Sequence, residues 1–298
     1  MSRIRKESIP LADYLKAIRI YHWPKNLLVF LPAITGHFLT LESFSTLLVI
    51  FFSLSFVASG MYLMNDLLDI DNDKKHPEKK HRLIARGALS PNNAKIISLL
   101  LIVIGLLGSF TASFYSGILI FLYIVLIGVY SLYIKKAAFF EAFFLTLMYL
   151  LRIYIGVVAV DTGTSQWLMI FSFFFFFFLV LVKRHAELLI HLENLEDDPT
   201  GRGYQIDDIH LIQSFSVASA LLSLLVFGLY IASPKVQALY TSPNYLWLVA
   251  TLGLLWVIDV LVLVHKGKIH HDPIVHAIKN KKSLGILSAS IILIALSL

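Results

Sequence analysis

Asn65, Asp69 and Asp73 recur at every fourth residue, with Asp66 beside the first, directly after the apolar run 44–64. If that run continues as a helix, ~100° per residue places Asn65, Asp66, Asp69 and Asp73 within an arc of about 100°, with Asp71 pointing away. One amide and three carboxylates then share a small volume. Carboxylates so close repel one another, and a divalent cation relieves the repulsion. Hard oxygen donors with room left for phosphate oxygens suit Mg²⁺. The expected metal ligands are Asn65, Asp69 and Asp73, with Asp66, Asp69 and Asp73 as the catalytic acids. Pro77 disfavours helix at His76, so the stripe is expected to end there.

The cations nearby fit a phosphorylated ligand. Lys79 and Arg82 follow in the next loop, and Lys25 and Asn26 open the first apolar run on the same expected side. Arg grips phosphate through two parallel hydrogen bonds, while Lys acts as a point charge. The competing explanation is a solvated interfacial loop whose cations only set topology. Arg152 lies deep in an apolar run, ~20 Å from its cytoplasmic end at about 1.5 Å per residue. A charge at that depth has to face a cavity or a partner. Phosphate binding and an ion pair with Asp259 both satisfy that demand.

These residues must be positioned by membrane helices. The 298-residue chain is 58% hydrophobic and 15% charged, with a mean hydropathy of +0.78, which identifies a polytopic membrane protein. It has no cysteine, so disulfides, cysteine-held iron–sulfur clusters and thiol nucleophiles are excluded. Apolar runs at 26–41, 44–64, 94–114, 116–133, 138–160, 166–182, 211–232, 244–264 and 283–298 give nine candidate spans. The expected fold is an all-α integral membrane bundle of about nine helices in one domain, 1–298. The first run is expected to be retained and not cleaved, because Trp23-Pro24-Lys25-Asn26 stands at its entrance and no small-x-small site follows.

Twenty-three of the 25 Lys and Arg residues fall on one face of that topology, leaving Lys235 opposite and Arg152 inside a span. The bias puts the N-terminus and the acidic block in the cytoplasm and the C-terminus outside the cell (inner) membrane. The run Phe173–Phe178 reads as packing or lipid-facing bulk, and the polar stretch 192–208 as a loop or lid. His270, His271 and His276 near Asp272 read as interfacial or structural. No Ser-His-Asp arrangement, Walker loop or dinucleotide fingerprint is present, and no nucleic-acid partner is expected.

The Asn65-x3-Asp69-x3-Asp73 stripe resembles the first aspartate-rich motif of the UbiA superfamily, intramembrane transferases that bind a diphosphate donor through Mg²⁺. His22-Trp23-Pro24-Lys25-Asn26, the run His76 to Lys79, Tyr130-Ser131-Leu132, Leu151-Arg152, Lys183-Arg184-x2-Glu187, Arg202-Gly203-Tyr204 and Asp272-Pro273 extend the likeness to its decaprenyl-phosphate phosphoribosyltransferase branch. The resemblance implies nine spans around a cavity open to the cytoplasm and to lipid. It also implies transfer of 5-phosphoribose from phosphoribosyl diphosphate to a polyprenyl phosphate, with substrate contacts from Tyr130, Lys135, Arg152, Arg202 and Tyr204 beside those above.

Three features depart from what the resemblance implies. Prenyl-transferring relatives carry a second DxxxD motif after the sixth span, where this chain has Lys183, Arg184 and Glu187, a set better suited to clamping phosphate. Snorkelling at a helix end is the alternative, and Glu193 with Asp197 offers a displaced second metal site. Glu141 stands where relatives have Asp, keeping the charge for metal or ribose contact, and Asn280 replaces an expected acid. The leading expectation is therefore Mg²⁺-dependent phosphoribosyl transfer. Its rivals are a prenyltransferase joining a polyprenyl diphosphate to an aromatic or other acceptor, and a degenerate scaffold or transporter.

Overall fold

A computed structural model of the chain describes residues 10–75, 79–193, 203–268, 277 and 280–298. Among these residues all regular structure is helical. The short α1 (Leu11–Ala17) leads into a 3₁₀ stretch, Ile20–Phe30, and α2 (Leu31–Thr35). The elements α3 (Leu41–Leu68), α4 (Ile70–Lys75), α5 (Pro91–Ala112), α6 (Phe114–Leu132) and α7 (Phe140–Val160) follow. The rest are α8 (Gln166–Glu193), α9 (Ile209–Ile231), α10 (Pro234–Leu239), α11 (Tyr245–His265) and α12 (Lys281–Ser297).

Seven helices among the described residues are long and apolar enough to cross a membrane: α3, α5, α6, α7, α8, α9 with its preceding turn, and α11. Two of the nine expected spans differ. The run 26–41 does not form one α-helix: Pro24 interrupts the ladder inside a 3₁₀ stretch, Pro32 starts α2, and the helix stops at Gly36. The last run forms α12, whose 17 residues are short for a full crossing.

The chain divides into two compact units, Met1–Leu132 with Leu151–Thr164, and Tyr133–Leu150 with Ser165–Leu298. In the first, α3 and α5 are in close contact. Ser98 Oγ donates to the Gly60 carbonyl at 2.7 Å, and a Cβ on Gly60 would stand 2.7 Å from the Ser98 carbonyl oxygen. Small residues permit this approach where lipid offers no hydrophobic drive between helices. Ser90, with Pro91 next, caps α5 by accepting from the Asn93 N–H.

In the second unit, Val180, Leu181 and Leu188 of α8 pack with Ala142, Tyr204, Ile209 and Ile212. The phenylalanine run acts as packing bulk: Phe178 is fully buried, Phe176 stacks on Tyr149 at 4.6 Å, and Phe175 meets Trp256. Asn280 is the N-cap of α12, accepting from the Lys282 and Ser283 N–H groups. Asp259 of α11 has Lys282 as a partner at 3.7 Å.

Candidate functional site

The acidic stripe is built across the junction of α3 and α4. Asp69 closes α3, with its N–H on the Asn65 carbonyl at 3.0 Å, and the Asp73 N–H bonds the Asp69 carbonyl at 2.8 Å. The turn therefore carries past a break at Asp69, and α4 ends at Lys75, close to the boundary expected from Pro77. Asp66 and Asp73 are buried. Asp71 faces solvent with its side chain 94% exposed, near Lys74 at 3.9 Å.

Two arginines meet those buried acids. Arg82 Nη1 donates to Asp73 Oδ2 at 2.8 Å and to Asp66 Oδ1 at 3.0 Å. Arg19 Nη2 donates to the same Asp66 Oδ1 at 2.6 Å, with its guanidinium 4.5 Å from the centre of the Tyr62 ring. Arg19 adopts φ 54° and ψ 48°, a left-handed conformation that costs about 1–2 kcal/mol for a residue with a Cβ. Asn65 Nδ2 donates to Asp69 Oδ2 at 3.0 Å.

Burial holds this arrangement in place. Leu83, Ile84 and Leu89 of the loop after α4 pack on Leu63 and Ala94, with Tyr14, Ala17 and Ile18 of the N-terminal segment against them. Arg86 bonds Asp13 at 2.6 Å beside that cluster. No group of three or more His, Asp or Glu side chains among the described residues stands in metal-ligand geometry. One cationic nitrogen nevertheless has two carboxylates within 3.0 Å, and an amide and a third carboxylate pair within the same two turns. Carboxylate and amide oxygens are the donor types that Mg²⁺ takes, and here the carboxylate oxygens are engaged by Arg82, Arg19 and Asn65.

Arg152 has a different setting in the same unit. A Cβ on Gly156 would strike the Val29 carbonyl, so this part of α7 lies close against the 3₁₀ stretch that carries Asn26. Arg152 Nε donates to Asn26 Oδ1 at 3.1 Å and Nη2 to the Tyr123 hydroxyl at 2.5 Å. Asn26 in turn donates to Ser55 Oγ at 3.0 Å. All these groups are buried.

In the second unit, Arg184 is held by two acids. Its Nε donates to Glu141 Oε2 at 3.0 Å, its Nη2 to Glu141 Oε1, and its Nη1 to Glu187 Oε2 at 2.6 Å. Glu141 is 0% exposed and the Arg184 side chain 3%. The Tyr204 hydroxyl accepts the Phe139 N–H at 3.0 Å and donates to Glu141 Oε2 at 3.5 Å. Burial, and then the Glu141 carboxylate, push the Tyr204 pKa up to about 12, so this phenol stays a donor at neutral pH.

Residues 29–275 match the family model described as the UbiA prenyltransferase family. The chain belongs to the UbiA prenyltransferase family. That match runs through most of both units. Protein y4nM of Sinorhizobium fredii is 33% identical over 298 residues, covering 98% of this chain and 57% of its own. The decaprenyl-phosphate phosphoribosyltransferase of Mycobacterium tuberculosis H37Rv is 32% identical over 183 residues, covering 60% of this chain and 61% of its own. The chain thus spans less than two thirds of the length of both relatives. Among solved structures, a UbiA homolog from Archaeoglobus fulgidus bound to GPP and Mg²⁺ has a TM-score of 0.68 at 13% identity, covering 95% of this chain and 97% of its own. That likeness shows the UbiA membrane fold.

Within this UbiA chain, the expected site residues separate into three groups. Asn65, Asp66, Asp69, Asp73 and Arg82 are brought together. Asn26 joins Arg152. Glu141, Arg184, Glu187 and Tyr204 form the third group. Lys25, Tyr130, Lys135 and Lys183 are half-buried and Lys79 is exposed. Arg202, Asp197, Asp272 and the His270, His271 and His276 cluster lie outside the described residues, as does most of the run from His76. Sequence reasoning counted Arg19 only as a topological cation and passed over Tyr62 and Tyr123. Its missed signal was a cation shortly before the Trp23-Pro24-Lys25-Asn26 run; the contacts themselves required the fold.

Proposed function

We propose that the chain is an Mg²⁺-dependent intramembrane transferase that moves 5-phosphoribose from phosphoribosyl diphosphate to a polyprenyl phosphate. The observation that carries this reading is the meeting of buried Asp66 and Asp73 on one Arg82 nitrogen, beside the Asn65–Asp69 pair. Asn65, Asp69 and Asp73 would hold the metal, which would supply positive charge to the departing diphosphate. Arg82, Lys79 and Lys25 grip phosphate oxygens. The bond from ribose C1 to the diphosphate oxygen breaks, and one from C1 to an oxygen of the lipid phosphate forms. The attacking phosphate is already anionic, so no strong general base is needed. The single domain of 1–298 presents this chemistry to the cytoplasm, where the cation bias puts the acidic stripe.

Support for the phosphoribosyl donor comes from the mycobacterial relative and from the third group. There a cation between two acids replaces a second aspartate pair. A second reading, prenyl transfer from a polyprenyl diphosphate, draws on the neighbour bound to GPP and Mg²⁺. Purified chain in lipid nanodiscs, given Mg²⁺, either donor and candidate acceptors, distinguishes the two by which donor releases diphosphate. Asp69→Asn is expected to lower turnover by roughly 10²-fold or more while the protein stays folded. Full activity in that variant sinks the site assignment.

A further inference from the structure

We infer that Arg19 is a positioning residue: it is the standing counter-ion of Asp66 that lets Arg82 leave the acids for the donor's diphosphate. The inference rests on the diphosphate reading above. Asp66 Oδ1 accepts from both guanidinium groups, at 2.6 Å from Arg19 and 3.0 Å from Arg82. The two arginines are held differently. Arg82 follows the exposed turn Lys79–His81 and its side chain is 28% exposed. Arg19 is 15% exposed, lies over Tyr62 and springs from a left-handed backbone.

A buried carboxylate deprived of its cation is heavily penalised. If Arg82 swung to a phosphate with no Arg19 present, Asp66 and Asp73 would be left ionised and close together in a buried setting. Arg82 would then be retained, and the diphosphate would lose its arginine. With Arg19 in place, Asp66 stays compensated, and Asp73, freed of Arg82, would be available as a metal ligand. A backbone conformation of this kind persists only where the surroundings demand it. Here it directs a guanidinium onto one carboxylate oxygen.

The test uses the full chain in nanodiscs, with inorganic diphosphate and Mg²⁺ as the probe, reading affinity by calorimetry and stability by thermal unfolding. Arg19→Gly relieves the backbone strain but takes one guanidinium from buried Asp66, so its midpoint is expected to fall only modestly while Arg82 keeps Asp66 compensated. Its affinity for Mg²⁺–diphosphate is expected to fall about tenfold or more, a difference of about 1.4 kcal/mol. Arg19→Lys keeps the charge without the fork and should fall between. Adding Asp66→Asn to Arg19→Gly removes the charge in need of compensation, and should restore affinity to within about threefold of Asp66→Asn alone.

A double variant that binds no better than Arg19→Gly overturns the inference, because Arg19 would then be gripping the donor itself. An Arg19→Gly chain that no longer folds also overturns it, by assigning Arg19 a structural role. Equal binding by wild type and Arg19→Gly removes the Arg19 inference alone. Failure of wild type to bind Mg²⁺–diphosphate removes the functional reading and the inference with it.

Discussion

Arg184→Ala separates a phosphate clamp from an internal ion pair. Arg184 spends three nitrogens on two acids, two of them on Glu141, which has no exposure at all. Truncation leaves Glu141 as a buried charge with the Tyr204 hydroxyl 3.5 Å away. Breaking a buried pair by removing one partner costs about 3–5 kcal/mol, roughly a 10²- to 4 × 10³-fold shift in the folding equilibrium at 1.4 kcal/mol per decade. Glu141→Gln is milder, about 1–3 kcal/mol, because Arg184 keeps Glu187. Reversible unfolding in mixed micelles, followed by helical circular dichroism, gives both values. An Arg184→Ala protein within about 1 kcal/mol of wild type refutes the reasoning, since Glu141 would then have found water or another cation.

Two further outcomes follow from the packing and the phenol. Tyr204→Phe deletes the acceptor of the Phe139 N–H and should cost ~1 kcal/mol in the same unfolding assay. Its pH dependence has a definite sign. The native pKa near 12 lies above the unfolded value of about 10, so the Tyr204 contribution is complete below about pH 10 and is lost as pH climbs toward 12. The Phe variant should lack that alkaline component. Gly60→Ala forces a Cβ onto the Ser98 carbonyl and Ile102, and should destabilise by about 1–3 kcal/mol through overpacking; unchanged stability would mean that α3 and α5 can separate at little cost.

Much of the architecture was legible because a bilayer imposes simple demands. A backbone in lipid has to satisfy its own hydrogen bonds, so long apolar runs become helices. The seven helices of spanning length coincide with seven of the expected runs. The first and last runs were harder to read, because hydropathy does not register that Pro24 and Pro32 break one ladder or that α12 is only 17 residues long. Asp71 was separable from its neighbours by helical phase alone, and its exposure agrees. Asp259 was matched with Arg152 as an available charge; the structure gives Asp259 a partner in Lys282 and gives Arg152 Asn26 and Tyr123. Pairing across distant segments is set by packing, which composition does not encode.

The sequence by itself determined the polytopic helical membrane class and the acidic stripe, since both follow from local periodicity: apolar length for the spans, and 3.6 residues per turn for Asn65, Asp69 and Asp73. Only the tertiary structure decided how the charges are shared. Arg184 could have been an open clamp, but burial closes it on Glu141 and Glu187. Arg19 could have been one more interfacial cation, but a left-handed turn and the apolar cluster beneath the loop bring it to the oxygen that Arg82 also uses. A carboxylate removed from water has to find compensation nearby. Which cation supplies it depends on where the chain folds back, 47 residues away in the case of Arg19 and Asp66.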